Sequence, residues 1–385
     1  MGLQAGEPWP YNMAYSGPQC RQAGDARASA RARSATGAGA AESLRRGPRA
    51  PPGVAERCVV AELRRDPILR RWVIMAPERP DDLNRAPESA TAGGSVPPGP
   101  CPFCPGSEHL NPVEIARREG PDGWSVRVTP DRRPLLRIEG EPGARGIGMF
   151  DRMNAVGAHE LVTDTADHGA GWADFTPIHM QRLLSVYRER ARDLARDPRF
   201  RHALVLKNRG ARSRYPHAHS HVLATPFVPK RLEEEQSGAR AYFGRKERCV
   251  FCDQLAEVEG RGNLVVAQEG DFVAFTPYAS AYPYEVWVMP RTHQSQYSAQ
   301  SDDDLYALAA LLVDVLARIR RACDDPAYSI ALHTGAFDGS DGDLFHWHWE
   351  IVPHLGHERG MEWATGILSN PVPPETAAAN LRGDV

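Results

Sequence analysis

Pro216-His217-Ala218-His219-Ser220-His221 sets three histidines in alternation with small residues, between the apolar runs Leu204-Val205-Leu206 and Val222-Leu223-Ala224. On an extended strand, side chains at i, i+2 and i+4 share one face, so the spacing predicts a row of three imidazoles. Imidazole is the commonest metal ligand and a nucleophile near neutral pH. Taken alone, the row fits a plain metal site or a polar sheet face as well as a reactive centre.

The cysteines narrow the choice. Four of the seven form two C-x-x-C pairs, Cys101-Pro102-Phe103-Cys104 and Cys249-Val250-Phe251-Cys252. An odd count in this pattern fits a secreted disulfide framework poorly and thiolate metal sites in a reducing, cytoplasmic compartment well. Thioredoxin-like redox chemistry competes for one pair, but it accounts for neither the second pair nor the histidines. A formal net charge of -3 argues against a nucleic-acid partner held by bulk positive charge. No apolar run approaches the ~20 residues of a membrane span.

The 385 residues are enough for more than one domain. Residues 1–57 are rich in Ala, Gly, Arg, Ser and Pro and lack apolar periodicity. A disordered extension is expected there, either a basic tail for an acidic partner or a dispensable segment. Short strands are expected at 71–75, 125–128, 159–163 and 203–207, followed by the histidine strand. A charged connection spans 230–248, and further strands are expected at 264–267, 272–275, 284–289, 328–333 and 344–352. Met180, Leu183, Leu184 and Tyr187 predict a helix over 177–196, and Leu305, Leu308, Leu311, Leu312, Val315 and Ile319 another over 302–323.

Order repeats along the chain. Cys101-x-x-Cys104, His168, a long helix and His217-Ala218-His219 are followed by Cys249-x-x-Cys252, His293, a long helix and His346-Trp347-His348. Two Cys plus two His complete a tetrahedral zinc site. The repeat therefore predicts two zinc ions, one on Cys101, Cys104, His168 and His217, the other on Cys249, Cys252, His293 and His346. The fold class expected is α+β, in two tandem halves, 58–235 and 236–385, each an antiparallel sheet with packed helices.

Several separated motifs carry a resemblance. Asp66-Pro67 through Pro77-x-Arg79, Cys101-Pro102-Phe103-Cys104-Pro105-Gly106, Asn208-x-Gly210 with His217-x-His219, and Pro290-x-x-His293 occur in order. So do Phe345-His346-Trp347-His348-x-Glu350 and Glu362-Trp363-x-Thr365-Gly366 through Asn370-Pro371. Together they resemble the galactose-1-phosphate uridylyltransferase family of the histidine-triad superfamily, from about Val59 to Arg382. The resemblance implies two histidine-triad-like halves. It also implies exchange of UMP between UDP-glucose and a hexose 1-phosphate, in two steps through a covalent nucleotidyl-histidine. His219 would be the nucleophile, His217 a zinc ligand, and Arg79, Asn208, Arg214 and Glu362 substrate contacts, with Arg212 a further candidate for charge neutralisation. Some members bind a non-zinc metal through one Glu and three His, and Glu235, His333, His346 and His348 fall at those places. The cysteine version is expected here. A homodimer is implied as well.

Three departures stand out. His221 occupies the place of the family's usual glutamine, as in nucleotide-hydrolysing histidine-triad proteins. The link from Asn208 to His217 is short and offers Arg212, Ser213 and Arg214 in place of Gly-x-Ser. Asp131 and Arg133 replace an Asn and an aromatic residue near the expected nucleoside pocket. These departures keep a nucleotide-sugar phosphorylase or a hydrolase acting on an adenine nucleotide open beside the transferase. A non-catalytic zinc protein that binds nucleotides stays open too.

Overall fold

The computed structural model describes residues 61–77, 100–210, 212–355 and 360–384. The expected extension over 1–57 and the substrate contact expected of Arg79 lie outside them. In chain order the elements are β1 (Glu62–Arg65), β2 (Trp72–Met75), β3 (Ala116–Gly120), β4 (Gly123–Pro130), β5 (Arg145–Ile147), β6 (Phe150–Arg152), β7 (Ala158–Thr163) and α1 (Pro177–Leu194). Then come β8 (His202–Arg209), β9 (His219–Thr225), α2 (Lys230–Lys246), α3 (Val250–Arg261), β10 (Val265–Glu269), β11 (Phe272–Phe275) and β12 (Val286–Pro290). The chain closes with α4 (Asp302–Ala322), β13 (Tyr328–His333), β14 (His348–Pro353), α5 (Gly360–Thr365), β15 (Leu368–Asn370) and α6 (Pro374–Arg382).

Ten strands form one sheet in the order β10-β11-β12-β14-β13-β8-β9-β7-β4-β3. Read outward from the β8–β13 seam, the two arms match strand for strand. Each half runs hairpin, third strand, long helix, then two more strands. The mixed α+β fold and its tandem halves are as expected. The halves do not stack as separate sheets, however, because β8 and β13 pair antiparallel and make the sheet continuous.

Alternation along the strands divides the sheet. One face carries Val162, Val205, Val222, Ile330, Leu332, Trp349 and Ile351, which join α1 and α4 in the main core. Those helices start where local chemistry says they should. Thr176 accepts from the His179 N–H ahead of Pro177, and Ser301 forms a capping box with Asp304. The other face carries the histidines.

Three expectations are corrected. The charged connection over 230–248 is mostly helix, α2, whose narrow buried stripe of Leu232, Glu235, Gly238 and Ala239 is too small and polar to stand out as periodicity. A Cβ at Gly238 would meet the Ile68 carbonyl oxygen at 1.9 Å, so this close approach requires glycine. The expected strand over 344–352 begins only at His348, because the Phe345 N–H bonds to Asp341 O and the Trp347 N–H to Gln294 O. β9 likewise begins at His219, so His217 precedes the strand instead of lying in a row on it.

Candidate functional site

Cys101, Cys104, His168 and His217 converge, with their ligand atoms all within 4.8 Å of one another. His217 Nδ1 stands 3.6 and 3.7 Å from the two sulfurs, and His168 Nδ1 is 3.3 Å from Cys104 Sγ. Tetrahedral zinc with ordinary bond lengths separates S from N by about 3.5 Å. The far nitrogen of His217 donates to Thr165 O at 2.8 Å, which fixes the tautomer that offers Nδ1 as a lone pair. The donor set fits the metal in chemistry and in spacing.

Two residues on, the His219 Nδ1–H donates to His217 O at 2.8 Å, so Nε2 keeps its lone pair. Phe103, from the cysteine loop, lies at 5.8 Å from the His219 ring and Tyr215 at 5.6 Å. Burial, with the Lys207 ammonium adding to it, pushes His219 down to about 3. The imidazole is therefore neutral at physiological pH, the form a nucleophile needs.

Beneath His219 lies an arrangement the sequence did not signal. Lys207 Nζ bonds Asp164 Oδ2 and the His219 carbonyl oxygen, each at 2.9 Å. Trp172 and Ser220 also donate to Asp164, at 2.8 and 2.6 Å, and the Tyr187 hydroxyl meets Ser220. Breaking such a buried, bonded ion pair costs about 3–5 kcal/mol. It clamps the strand backbone that carries His219.

His221 sits one strand position pair further along, its Nδ1 3.1 Å from His159 Nε2 on β7. Asp131 Oδ2, buried and without a hydrogen-bond partner among the described residues, is 3.6 Å from both nitrogens, and Arg214 Nη1 is 3.4 Å from Asp131 Oδ1. Burial, with His159 adding to it, pushes His221 down to about 4.

In the second half, Cys249, Cys252, His293 and His346 converge in the same way. Cys252 Sγ is 3.3 Å from His293 Nδ1 and 3.5 Å from His346 Nδ1, and His293 Nε2 bonds Gly342 O. The Cys252 thiol, helped by both imidazoles, holds Cys249 well below the ordinary thiol range, the thiolate form that a metal takes. This set also fits zinc. The Glu-and-three-His grouping is split: His346 joins the cysteines, and Glu235, His333 and His348 gather instead with Glu350. That cluster is fully buried and tied down by Arg231, which bonds Glu350, while Trp287 stacks on His348 at 4.4 Å. Among the described residues its His348 Nε2, Glu235 Oε1 and Glu350 Oε1 have no hydrogen-bond partner, so a cation fits there too.

The remaining expected contacts are placed as follows. Asn208 lies on β8, its Oδ1 accepting from the Ser329 hydroxyl at 2.6 Å. The main-chain pairing of β8 with β9 brings Lys207 opposite Ser220, next to His219. Arg212 is in the β8–β9 turn, and Arg214 faces Asp131. Glu362, on α5, accepts from the Ser369 N–H at 2.9 Å and so ties α5 to β15. No role was readable in the sequence for His159, Lys207, Asp164 or Glu350, the last quoted only as a residue of a motif. Only a buried charge inside an apolar strand, as at Lys207 and Glu350, could have marked them.

No family model matches the chain. An ADP-glucose phosphorylase of Arabidopsis thaliana is 30% identical over 332 residues, covering 83% of this chain and 92% of that protein. A galactose-1-phosphate uridylyltransferase of Thermotoga maritima is 27% identical over 334 residues, covering 83% of this chain and 98% of that one. Among solved structures, the crystal structure of an Arabidopsis thaliana ADP-glucose phosphorylase with bound ADP-glucose superposes with a TM-score of 0.72 at 29% identity, covering 84% of this chain and 99% of that chain.

Proposed function

The chain belongs to the galactose-1-phosphate uridylyltransferase family, as a divergent member, and from that premise we propose that it transfers a nucleoside monophosphate from a nucleoside-diphosphate hexose to a phosphate-bearing acceptor through a covalent nucleotidyl-His219. One observation carries this reading: His219 is neutral, with its Nδ1–H tied to the His217 carbonyl and the Nε2 lone pair left over. In the first step that lone pair attacks the α-phosphorus. The N–P bond forms as the P–O bond to the β-phosphate breaks, and hexose 1-phosphate leaves with the electron pair. In the second step an oxygen of the acceptor phosphate attacks the same phosphorus, the N–P bond breaks, and Nε2 regains its lone pair. Such chemistry asks the protein mainly for positioning and charge neutralisation. Arg214, beside Asp131, and the Asn208 amide are the groups that supply them, with His221 as a donor beside the nucleophile.

Two zinc ions belong to this reading, one on Cys101, Cys104, His168 and His217 and one on Cys249, Cys252, His293 and His346. Their contribution is structural: the first would lock His217 and the Phe103 loop against His219.

The finer reading we favour is ADP-glucose as donor and orthophosphate as acceptor, giving ADP and glucose 1-phosphate. It is supported by the 30% identical phosphorylase and by the ADP-glucose bound in its structure. Exchange of UMP between UDP-glucose and galactose 1-phosphate is the second reading, favoured by the 27% identical uridylyltransferase. A screen of ADP- and UDP-glucose, labelled in the α-phosphate, against orthophosphate, hexose 1-phosphates and water separates them. The protein should take up label from its donor, release it only to a phosphate acceptor, and lose labelling in His219→Gly. Label retained in that variant would remove His219 as the nucleophile, and turnover with water alone would replace transfer by hydrolysis.

A further inference from the structure

His221 is the site's departure from its family's glutamine, and its neighbours determine which of its nitrogens carries the proton. A backbone N–H is a donor that cannot become an acceptor. The Leu135 N–H points at His159 Nδ1 from 3.0 Å, so Nδ1 of His159 is an acceptor and carries no proton. Neutral His159 must then carry its proton on Nε2. That nitrogen lies 3.1 Å from His221 Nδ1, which therefore accepts in turn, leaving the proton of His221 on Nε2. The reverse arrangement would leave His159 with no proton at all.

We propose that His159 is a positioning residue that locks His221 as a neutral Nε2–H donor, so that this imidazole does for the phosphoryl oxygens what an amide N–H would do. This rests on the transfer reading above. Protonating His221 would set two N–H groups head to head across the 3.1 Å contact. Asp131, from the end of β4, is the group that favours the charged form, at 3.6 Å from His221 Nδ1; Arg214, on the β8–β9 link, offsets it from the other carboxylate oxygen. His219 is a further titratable group beside it, its ring centroid 5.3 Å away, and Asp164, just past β7, adds to the pull toward the charged form. Leu161 and Leu206, its cross-strand partners, bring no charge. His221 is thus a fixed donor and not a proton shuttle, which suits a reaction whose leaving group is already a phosphate.

The relay has a substitution that should rescue it. In His159→Gln, the amide oxygen can accept from Leu135 and the amide nitrogen donate to His221. In His159→Phe neither is available. We expect His159→Phe to slow single-turnover labelling about tenfold, a part of the 10²–10³ that a whole transition-state donor is worth, and His159→Gln to stay within about threefold of the unsubstituted chain. In a His221→Gln background, where the amide needs no relay, His159→Phe should cost less than about twofold. An equal loss in both backgrounds would make His159 merely structural and overturn the proposal. The tautomer is read separately by 15N NMR of the full chain with labelled histidine: His221 should show bare Nδ1 and protonated Nε2 at pH 7. The opposite tautomer, or a doubly protonated ring, overturns the relay whether or not any donor labels the protein. Absence of label from every donor, with the expected tautomer present, instead overturns the transfer reading.

Discussion

His202 and His221 are imidazoles held neutral by burial, each pushed down to about 4. Between the ordinary histidine value near 6.5 and about 4, the unfolded chain binds a proton at each position and the folded chain does not. Stability therefore rises with pH across that window and is lost as pH falls from about 6.5 toward 4, on the order of 3 kcal/mol per group over the whole span. Urea denaturation from pH 7 to 4.5 measures it. His202→Gln keeps a donor for the Thr334 carbonyl, which His202 Nε2 contacts at 2.7 Å, and should flatten the slope by one proton. An unchanged slope in that variant would mean that His202 is charged in the folded chain. At this scale the sequence was half legible. His217, His219 and His221 announce themselves by spacing. His159, on β7, does not, because it joins them only through the register that sets Leu161 opposite His221. Lys207 pairs with Asp164 across 43 positions by the same kind of contact.

Each half draws its cysteine–histidine cluster from a cysteine pair, a histidine ahead of the long helix and the first histidine of an H-x-H segment. That order was readable because ligand spacing within a C-x-x-C or an H-x-H is set by local geometry. The partition of His346 and His348 was less readable. The two lie on one alternating segment, yet the chain turns at 341–347 and sends His346 to the cysteines, while His348, inside β14, faces Glu235, His333 and Glu350. The long helices were visible from their apolar stripes, and α2 was hidden by its charges. If the two cysteine sets are the zinc sites, the purified chain should hold two equivalents of zinc by elemental analysis. Cys104→Ser and Cys252→Ser should each lose about one. The Cys104 change should also cut labelling of His219, because it frees His217 and the Phe103 loop. The second change lies in the other half and should spare labelling more. Full zinc content in either variant would break the assignment of that ion.

Continuity of the sheet decides how the whole molecule behaves. The seam pairs five residues of β13 with β8, from Tyr328 opposite Arg209 to Leu332 opposite Val205, and both strands bury side chains on either side of it. Neither half could keep that edge exposed: each would present unpaired backbone groups and an apolar face where the other half now sits. The main core likewise draws on both halves at once, with α1 packed beside α4 and the Tyr297 hydroxyl bonded to Leu184 O. The repeat seen in sequence is therefore a repeat of construction, and the two halves should fold as one unit. Ala331, opposite Leu206 within the seam, tests this. Ala331→Pro removes a ladder donor in a central strand and should cost about 1–3 kcal/mol for the buried acceptor left without its partner. Unfolding followed by tryptophan fluorescence and by far-ultraviolet circular dichroism should stay a single coincident transition in the unsubstituted chain. In the variant both signals should shift together, with zinc released from the two cysteine sets over the same range of denaturant. Two separated transitions, with one zinc leaving in each, would show instead that the halves are stable alone and only lean on one another at β8 and β13.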